Sequence, residues 1–241
     1  MDINQNIYQL TEIKKGQTGT GLLIENDGHI ITEQDNIKQI REDIESGHKF
    51  VCPDHFVVSA VFQKFGIPNA NNRIYPENIL KREVDKYVAE RVNKHCAIGS
   101  LDHPSSSSLS GHDVSHNILE LHWDNHTLVG TMELHLSPGY KQYGICSTSG
   151  DMVANMLLSG YLIGVSSRGV GSVKQIPGGK VVVDDDFELI CWDVVMEPST
   201  PNAWIRQNED ELQPFIENDE SHKKKPIINE KINKINQILG I

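Results

Sequence analysis

No two cysteines of this chain stand at C-x-x-C spacing. Cys52, Cys96, Cys146 and Cys191 are far apart, which argues against a zinc ribbon or a thioredoxin-type redox pair. No apolar run is long enough to cross a bilayer as a helix. A basic surplus is missing too, since 33 acidic residues face 22 basic ones for a formal net charge of −11. Binding nucleic acid non-specifically needs the opposite balance, because phosphate contacts come from clustered lysine and arginine. Neither nucleic acid nor membrane is therefore an expected partner. The first six residues carry neither a basic stretch nor an apolar one, so no secretory signal is expected. A reducing, cytoplasmic setting with free thiols follows. Strand and helix patterns do not alternate along the chain, which argues against a doubly wound parallel sheet.

What is present fits one domain with appended tails, given 241 residues of which 38% are apolar. Residues 1–50 are polar and read as an N-terminal extension. It holds short strands at 8–13 and 22–24, and a helix over 35–47 built on Ile37, Ile40 and Ile44. The compact domain spans 51–205. Strand signals cover 56–62, and a loop of turn formers over 66–76 ends in Pro76, which suits the first turn of a helix. Ile79, Leu80, Val84, Tyr87, Val88 and Val92 trace its buried face to about residue 94. A short strand over 96–101 leads to His103-Pro104, and the serine run 105–110 reads as a solvated, flexible loop.

Residues 114–123 and 128–136 form a hairpin around Asp124-Asn125. A helix over 149–159 follows, with Ser149 or Asp151 as its cap. Then come a strand at 161–163, another over 170–176, a tight turn at Pro177-Gly178-Gly179, and strands over 180–183 and 187–195. The expected class is α+β, a strand-rich mixed or antiparallel β-barrel core with flanking helices. Residues 206–241 form a charged linker and an amphipathic helix on Ile228, Ile232, Ile235 and Leu239. That helix reads either as a docking or coiled-coil segment or as a terminal helix packed on its own domain.

Three segments carry potential chemistry. Gly164-Val165-Ser166-Ser167-Arg168-Gly169 sets two serines and an arginine between glycines. Upstream lies Leu101-Asp102-His103-Pro104, and downstream Cys191-Trp192-Asp193. A serine hydroxyl is a poor nucleophile unless a histidine takes its proton, and that histidine needs a third group to hold its tautomer. The chain offers such groups in the order His, Ser, Asp. The nucleophile-elbow pattern G-x-S-x-G fails for both serines: Arg168 occupies the second glycine position after Ser166, and Val165 the first before Ser167. The order also differs from α/β-hydrolases and from chymotrypsin-type enzymes. His112/His116 and His122/His126 have metal-like spacing. However, the second pair straddles the hairpin turn and the first lacks helix signals, so no metal site is expected.

Four segments together resemble a known family. They are Asn72-Arg73-Ile74-Tyr75-Pro76, Leu101-Asp102-His103-Pro104, the run from Gly160 to Ser172, and the run from Asp193 to Trp204. In order and spacing they resemble the prohead (procapsid) maturation proteases of tailed phages, of the T-even type, whose fold is thought to be that of the herpesvirus assemblin proteases. The resemblance covers about residues 56–205. It implies a serine endopeptidase in which His103 is the general base, Ser166 the nucleophile and Asp193 the acidic third member. Asp102 is a competing carboxylate, but neighbouring strand residues point to opposite faces. Ser167, Arg168 and Gly169 would supply the oxyanion donors, through the Arg168 side chain and the backbone N–H groups. No metal or cofactor is implied.

The expected partners are scaffold or core proteins and the major capsid precursor, cut inside the assembling procapsid in the host cytoplasm. Self-association is left open. The resemblance also implies cleavage after Glu with an apolar residue two positions earlier. Such sequences end at Glu25, Glu33 and Glu230, so the enzyme is expected to trim its own ends. Competing readings are a catalytically inactive internal core or scaffold protein of the prohead, and a hydrolase of small esters.

Overall fold

The computed structural model describes residues 12–24, 55–104, 106–201, 203, 205 and 206. The helices expected over 35–47 and 228–239, and most of the strand expected over 8–13, lie outside the described residues. In chain order the elements are β1 (Gly19–Ile24), β2 (Val57–Lys64), β3 (Arg73–Ile74), α1 (Glu77–Glu90), β4 (Ile98–Ser100), β5 (Val114–Asp124), β6 (Thr127–Leu134), α2 (Pro138–Tyr143), α3 (Ser149–Leu158), β7 (Gly164–Ile176), β8 (Lys180–Val183), β9 (Glu188–Val195) and β10 (Ile205–Arg206). A short 3-10 turn, Val92–Lys94, follows α1.

The strands form two five-stranded sheets. One runs β1-β7-β8-β3 with β9 on the other edge of β7, and it is mixed because β3 pairs parallel to β8. The other, β10-β2-β6-β5-β4, is antiparallel throughout. The α+β, strand-rich expectation holds, but the barrel needs correction. Among the described residues the sheets do not close into one. They meet through isolated bonds: Leu101 bridges Val194 at one corner, and Val165 N–H donates to Ala203 O at another. Ladders stop at these corners, so each sheet keeps its own edges.

Local chemistry explains the helices. Pro76 caps α1 in an extended conformation, Glu77 sits in its first turn where the helix dipole favours an anion, and Ile79, Leu80, Val84 and Tyr87 form the buried face. The cap of α3 is Thr148, one residue before the expected start. Thr148 Oγ1 accepts from Asp151 N at 3.1 Å, and Asp151 Oδ2 accepts from Thr148 N at 3.0 Å, which makes a reciprocal capping box. Asn125 takes a left-handed φ of 52° in the β5–β6 turn.

Two sequence expectations change at β7. The strands expected at 161–163 and 170–176 are replaced by one continuous strand that starts at Gly164 and includes both serines. Serine and glycine have little strand propensity. They extend here because β9 pairs from Gly164 to Val170 and β1 pairs from Arg168 to Val173. The second change concerns residues 19–24, which fall within the stretch assigned to a polar extension. As β1 they are hydrogen-bonded along β7, and Leu22 and Leu23 are buried. Leu23 joins the same core as Phe62, Leu80, Val165 and Trp192. Removing its side chain should therefore cost about 2–5 kcal/mol. Urea denaturation of Leu23→Ala should show that loss, whereas a change below about 0.5 kcal/mol would mean β1 is an appendage.

Candidate active site

Strand pairing brings the three chemical segments together. β7 and β9 are antiparallel with Ser166 opposite Asp193 and Arg168 opposite Cys191. Directly opposed residues project to the same side of a sheet with Cβ atoms about 5 Å apart. Ser166, Arg168, Asp193 and Cys191 thus share one face of the pair. Ser167 and Trp192 share the other, where Trp192 stacks edge-on against Phe62 and Tyr87. The glycines flanking the serines are needed for closeness. A Cβ on Gly164 would lie 2.5 Å from Ala203 O, and one on Gly169 would lie 2.7 Å from Glu188 O.

His103 arrives from the second sheet. Past β4, Leu101 bridges Val194 and Asp102 N–H donates to Val194 O at 2.8 Å. Asp102 takes a left-handed φ of 61° with its side chain exposed. The next residue, His103, lies against Asp193, with Nδ1 to Oδ2 at 2.7 Å. A carboxylate can only accept, so Nδ1 is the donor of this contact and Nε2 is the ring nitrogen left for other partners. Nε2 is buried and is not hydrogen-bonded to Ser166 or to any other described residue. Ser166 is fully buried.

Asp193 is the most heavily bonded group of the site. Besides His103, its oxygens accept from Ser100 N at 2.9 Å, from Arg168 Nε at 2.8 Å and from Arg168 Nη2 at 3.1 Å. The Cys191 thiol lies 3.4 Å from Oδ1. Burial alone would raise the carboxyl's pKa. Hydrogen bonds from His103 and Arg168 outweigh burial and hold it below the usual carboxylate range. Burial, reinforced by Asp193, pushes the Cys191 thiol well up, so it stays protonated.

The sequence reading singled out His103, Ser166, Ser167, Arg168, Gly169 and Asp193. Ser166, Arg168 and Asp193 share a face with His103 beside them, whereas Ser167 and Gly169 have their Cα positions in the same strand but off that face. Other contributors were missed. Cys191 had a usable signal, since two residues before Asp193 on a strand means the same side. The Ser100 N–H and the carbonyls of Ser106 and Ser108 had none, because backbone groups carry no sequence mark. The carbonyls correct the reading of the 105–110 run as a free solvated loop. Both accept from Arg168 Nη1, at 2.6 and 3.4 Å.

A family profile described as "Prohead core protein serine protease" matches residues 18–212. This chain belongs to that family. It is 30% identical over 156 residues to the prohead core protein protease of Enterobacteria phage T4, an overlap of 63% of this chain and 68% of that one. Its fold is similar to the solved structure of the bacteriophage T4 capsid assembly protease, with a TM-score of 0.57 and 24% identity. That match covers 74% of this chain and 99% of the other. The chain is thus a prohead protease involved in capsid assembly and maturation. The matched region begins at residue 18, so it includes β1, which packs on the candidate active-site strand.

His116 is a further buried histidine near this prohead protease's acidic group. Its Nδ1 lies 2.9 Å from Ser115 Oγ. Burial lowers its pKa from 6.5 to about 4, against the pull of Asp193. The unfolded chain therefore gains a proton as pH falls through 6.5, while the folded chain does not until about 4. Stability should fall across that window, by about 3 kcal/mol in full. Asp193 acts in a lower window: its depressed pKa contributes stability above the ordinary value of 3.8, lost only below it. Urea midpoints from pH 7 to 4.5 should fall in the wild type and flatten in His116→Gln. Parallel curves for the two proteins would refute this account.

Proposed function

We propose that this prohead protease is a serine endopeptidase in which Ser166 is the nucleophile, His103 the general base and Asp193 the group that orients the base. The observation that carries the reading is the 2.7 Å contact of His103 Nδ1 with Asp193 Oδ2. It leaves Nε2 buried and available to a nucleophile, beside a strand on which Ser166 is the register partner of Asp193. Ser166 Oγ attacks the scissile carbonyl and its proton passes to His103 Nε2. The imidazolium, steadied by Asp193, gives that proton to the departing amine. Water then hydrolyses the acyl-enzyme with His103 again as base.

The oxyanion donor we assign is the backbone N–H of Ser167, the residue after the nucleophile. Val165 N–H points away from β9 to Ala203 O, and N–H groups alternate sides along a strand. Ser167 N–H therefore also points away from β9, between Ala203 and the end of β1. Gly169 points the same way but lies opposite Leu23, and Arg168 N–H faces β9. One such donor is typically worth about 3 kcal/mol of barrier.

The substrates we assign are scaffold or core proteins and the capsid precursor, cut inside the procapsid after Glu. The chain's own Glu25, Glu33 and Glu230 are included. Ser166 has no exposed surface, so a substrate reaches it only after the chain packed over it moves. Glu25 directly follows β1, and a cut there would leave β1 held to the domain by β7 pairing, by Leu23 in the core and by the Arg73 bonds to Ile13 O and Ile24 O.

Ser166→Ala should lower cleavage of a Glu-containing peptide by about 10⁴-fold or more, with the thermal midpoint retained. Ser167→Ala should stay within a few-fold, since it keeps the backbone N–H. Activity retained in Ser166→Ala would remove the nucleophile assignment. Mass spectrometry of the wild type should show loss of an end at Glu25, Glu33 or Glu230, and Ser166→Ala should stay whole. Both ends intact in a wild type that cuts added substrate would rule out self-trimming.

A further inference from the structure

We propose that Arg168 is the positioning residue of this site, holding the Asp193 carboxylate and the segment that carries His103 together, and that it does not donate to the oxyanion. The proposal rests on the roles assigned above to Ser166, His103 and Asp193.

A guanidinium has five N–H donors in a rigid plane. All of those on Arg168 are engaged. Nε and Nη2 form a two-point fork on Asp193, at 2.8 and 3.1 Å. Nη2 also reaches Cys191 Sγ at 3.2 Å. Nη1 binds the carbonyls of Ser106 at 2.6 Å and Ser108 at 3.4 Å. The Arg168 side chain has 0% exposure, as does Asp193. To face an oxyanion it would have to abandon a buried carboxylate, which is costly in a medium of low dielectric.

The two targets of the fork explain its value. Ser106 lies three residues after His103, so Nη1 anchors the far end of the short segment that presents the base. Nε and Nη2 anchor its acceptor. One rigid group thus sets both sides of the 2.7 Å His103–Asp193 contact. A lysine ammonium could neutralise Asp193 but could not span to the Ser106 and Ser108 carbonyls as well.

Among the described residues, the titratable groups that interact with Asp193 or surround it are His103, Arg168, Cys191, His116 and, on α1, Tyr87. At neutral pH the Cys191 thiol and Tyr87 hydroxyl are protonated and neutral, with burial the main cause for each, and His116 is neutral. Asp102, next to His103 in the chain, is exposed to solvent. Among the described residues, Arg168 is therefore the permanent cation balancing Asp193. Without it, the buried carboxylate would have no permanent cation against it among the described residues.

The test uses the full chain with a Glu-containing peptide substrate, in Arg168→Gln and Arg168→Lys. For Arg168→Gln, kcat should fall at least tenfold and the acidic limb of the kcat/KM profile should move up by about one pH unit. In Arg168→Lys the limb should stay near its wild-type position, because the charge remains. Amide hydrogen exchange across residues 103–108 should speed up in both variants. If Arg168→Gln does not fold, Arg168→Lys alone decides: lower kcat with faster exchange at 103–108 supports the proposal. A lower kcat with an unmoved acidic limb and unchanged exchange would make Arg168 an oxyanion donor and overturn it. Ser166→Ala separates the two readings, since activity retained there defeats the nucleophile assignment whatever Arg168 does.

Discussion

A carboxylate with no exposure to water must be compensated, and that requirement organises the centre of this molecule. Asp193 lies where β9 meets β7 on one side and the end of β4 on the other. Each neighbour contributes a donor: β7 gives Arg168, β4 gives the Ser100 N–H, and the turn after β4 gives His103. An unpaired buried charge is among the costliest faults a fold can contain. The two sheets are therefore joined at this corner by chemistry as well as by packing. The same group whose charge these bonds satisfy also holds His103, so one buried carboxylate both joins the sheets and fixes the candidate base.

The surrounding strands supply the precision. Ser166 sits inside a strand hydrogen-bonded to β9, with β1 joining from Arg168 onward. A turn could flex, whereas a strand held in a ladder keeps its side chains in fixed alternation. The glycines at 164 and 169 allow Ala203, Pro198 and Phe187 to crowd against the strand. The price of this arrangement is access, since Ser166 is wholly covered.

Much of the element pattern was readable along the chain. The α1 face, the β5–β6 hairpin and the turn at Pro177-Gly178-Gly179 follow from local periodicity and turn chemistry, which act over a few residues. The serine strand was misread at its start because glycine and serine are poor strand formers, and only pairing with distant β1 and β9 extends them. The cap of α3 shifted to Thr148 because Asp151 reaches back to it, a geometry that Ser149 next door could mimic in the sequence. Ser106 and Ser108 read as solvated because their side chains are, whereas it is their carbonyls that bind Arg168.

The residue types needed for the chemistry, and the motifs that mark the family, are local properties of the chain and were determined by the sequence alone. So were the acidic balance and the choice of Ser166, His103 and Asp193 as candidates. The partner of Arg168, the place of β1 in the core and the two-sheet architecture were decided only by tertiary structure. Their causes lie in contacts between residues far apart in the chain: Arg168 with Asp193, Leu23 with the core behind β7, and Leu101 with Val194. Burial determines whether a guanidinium faces a substrate or a carboxylate, and burial is a property of the folded whole.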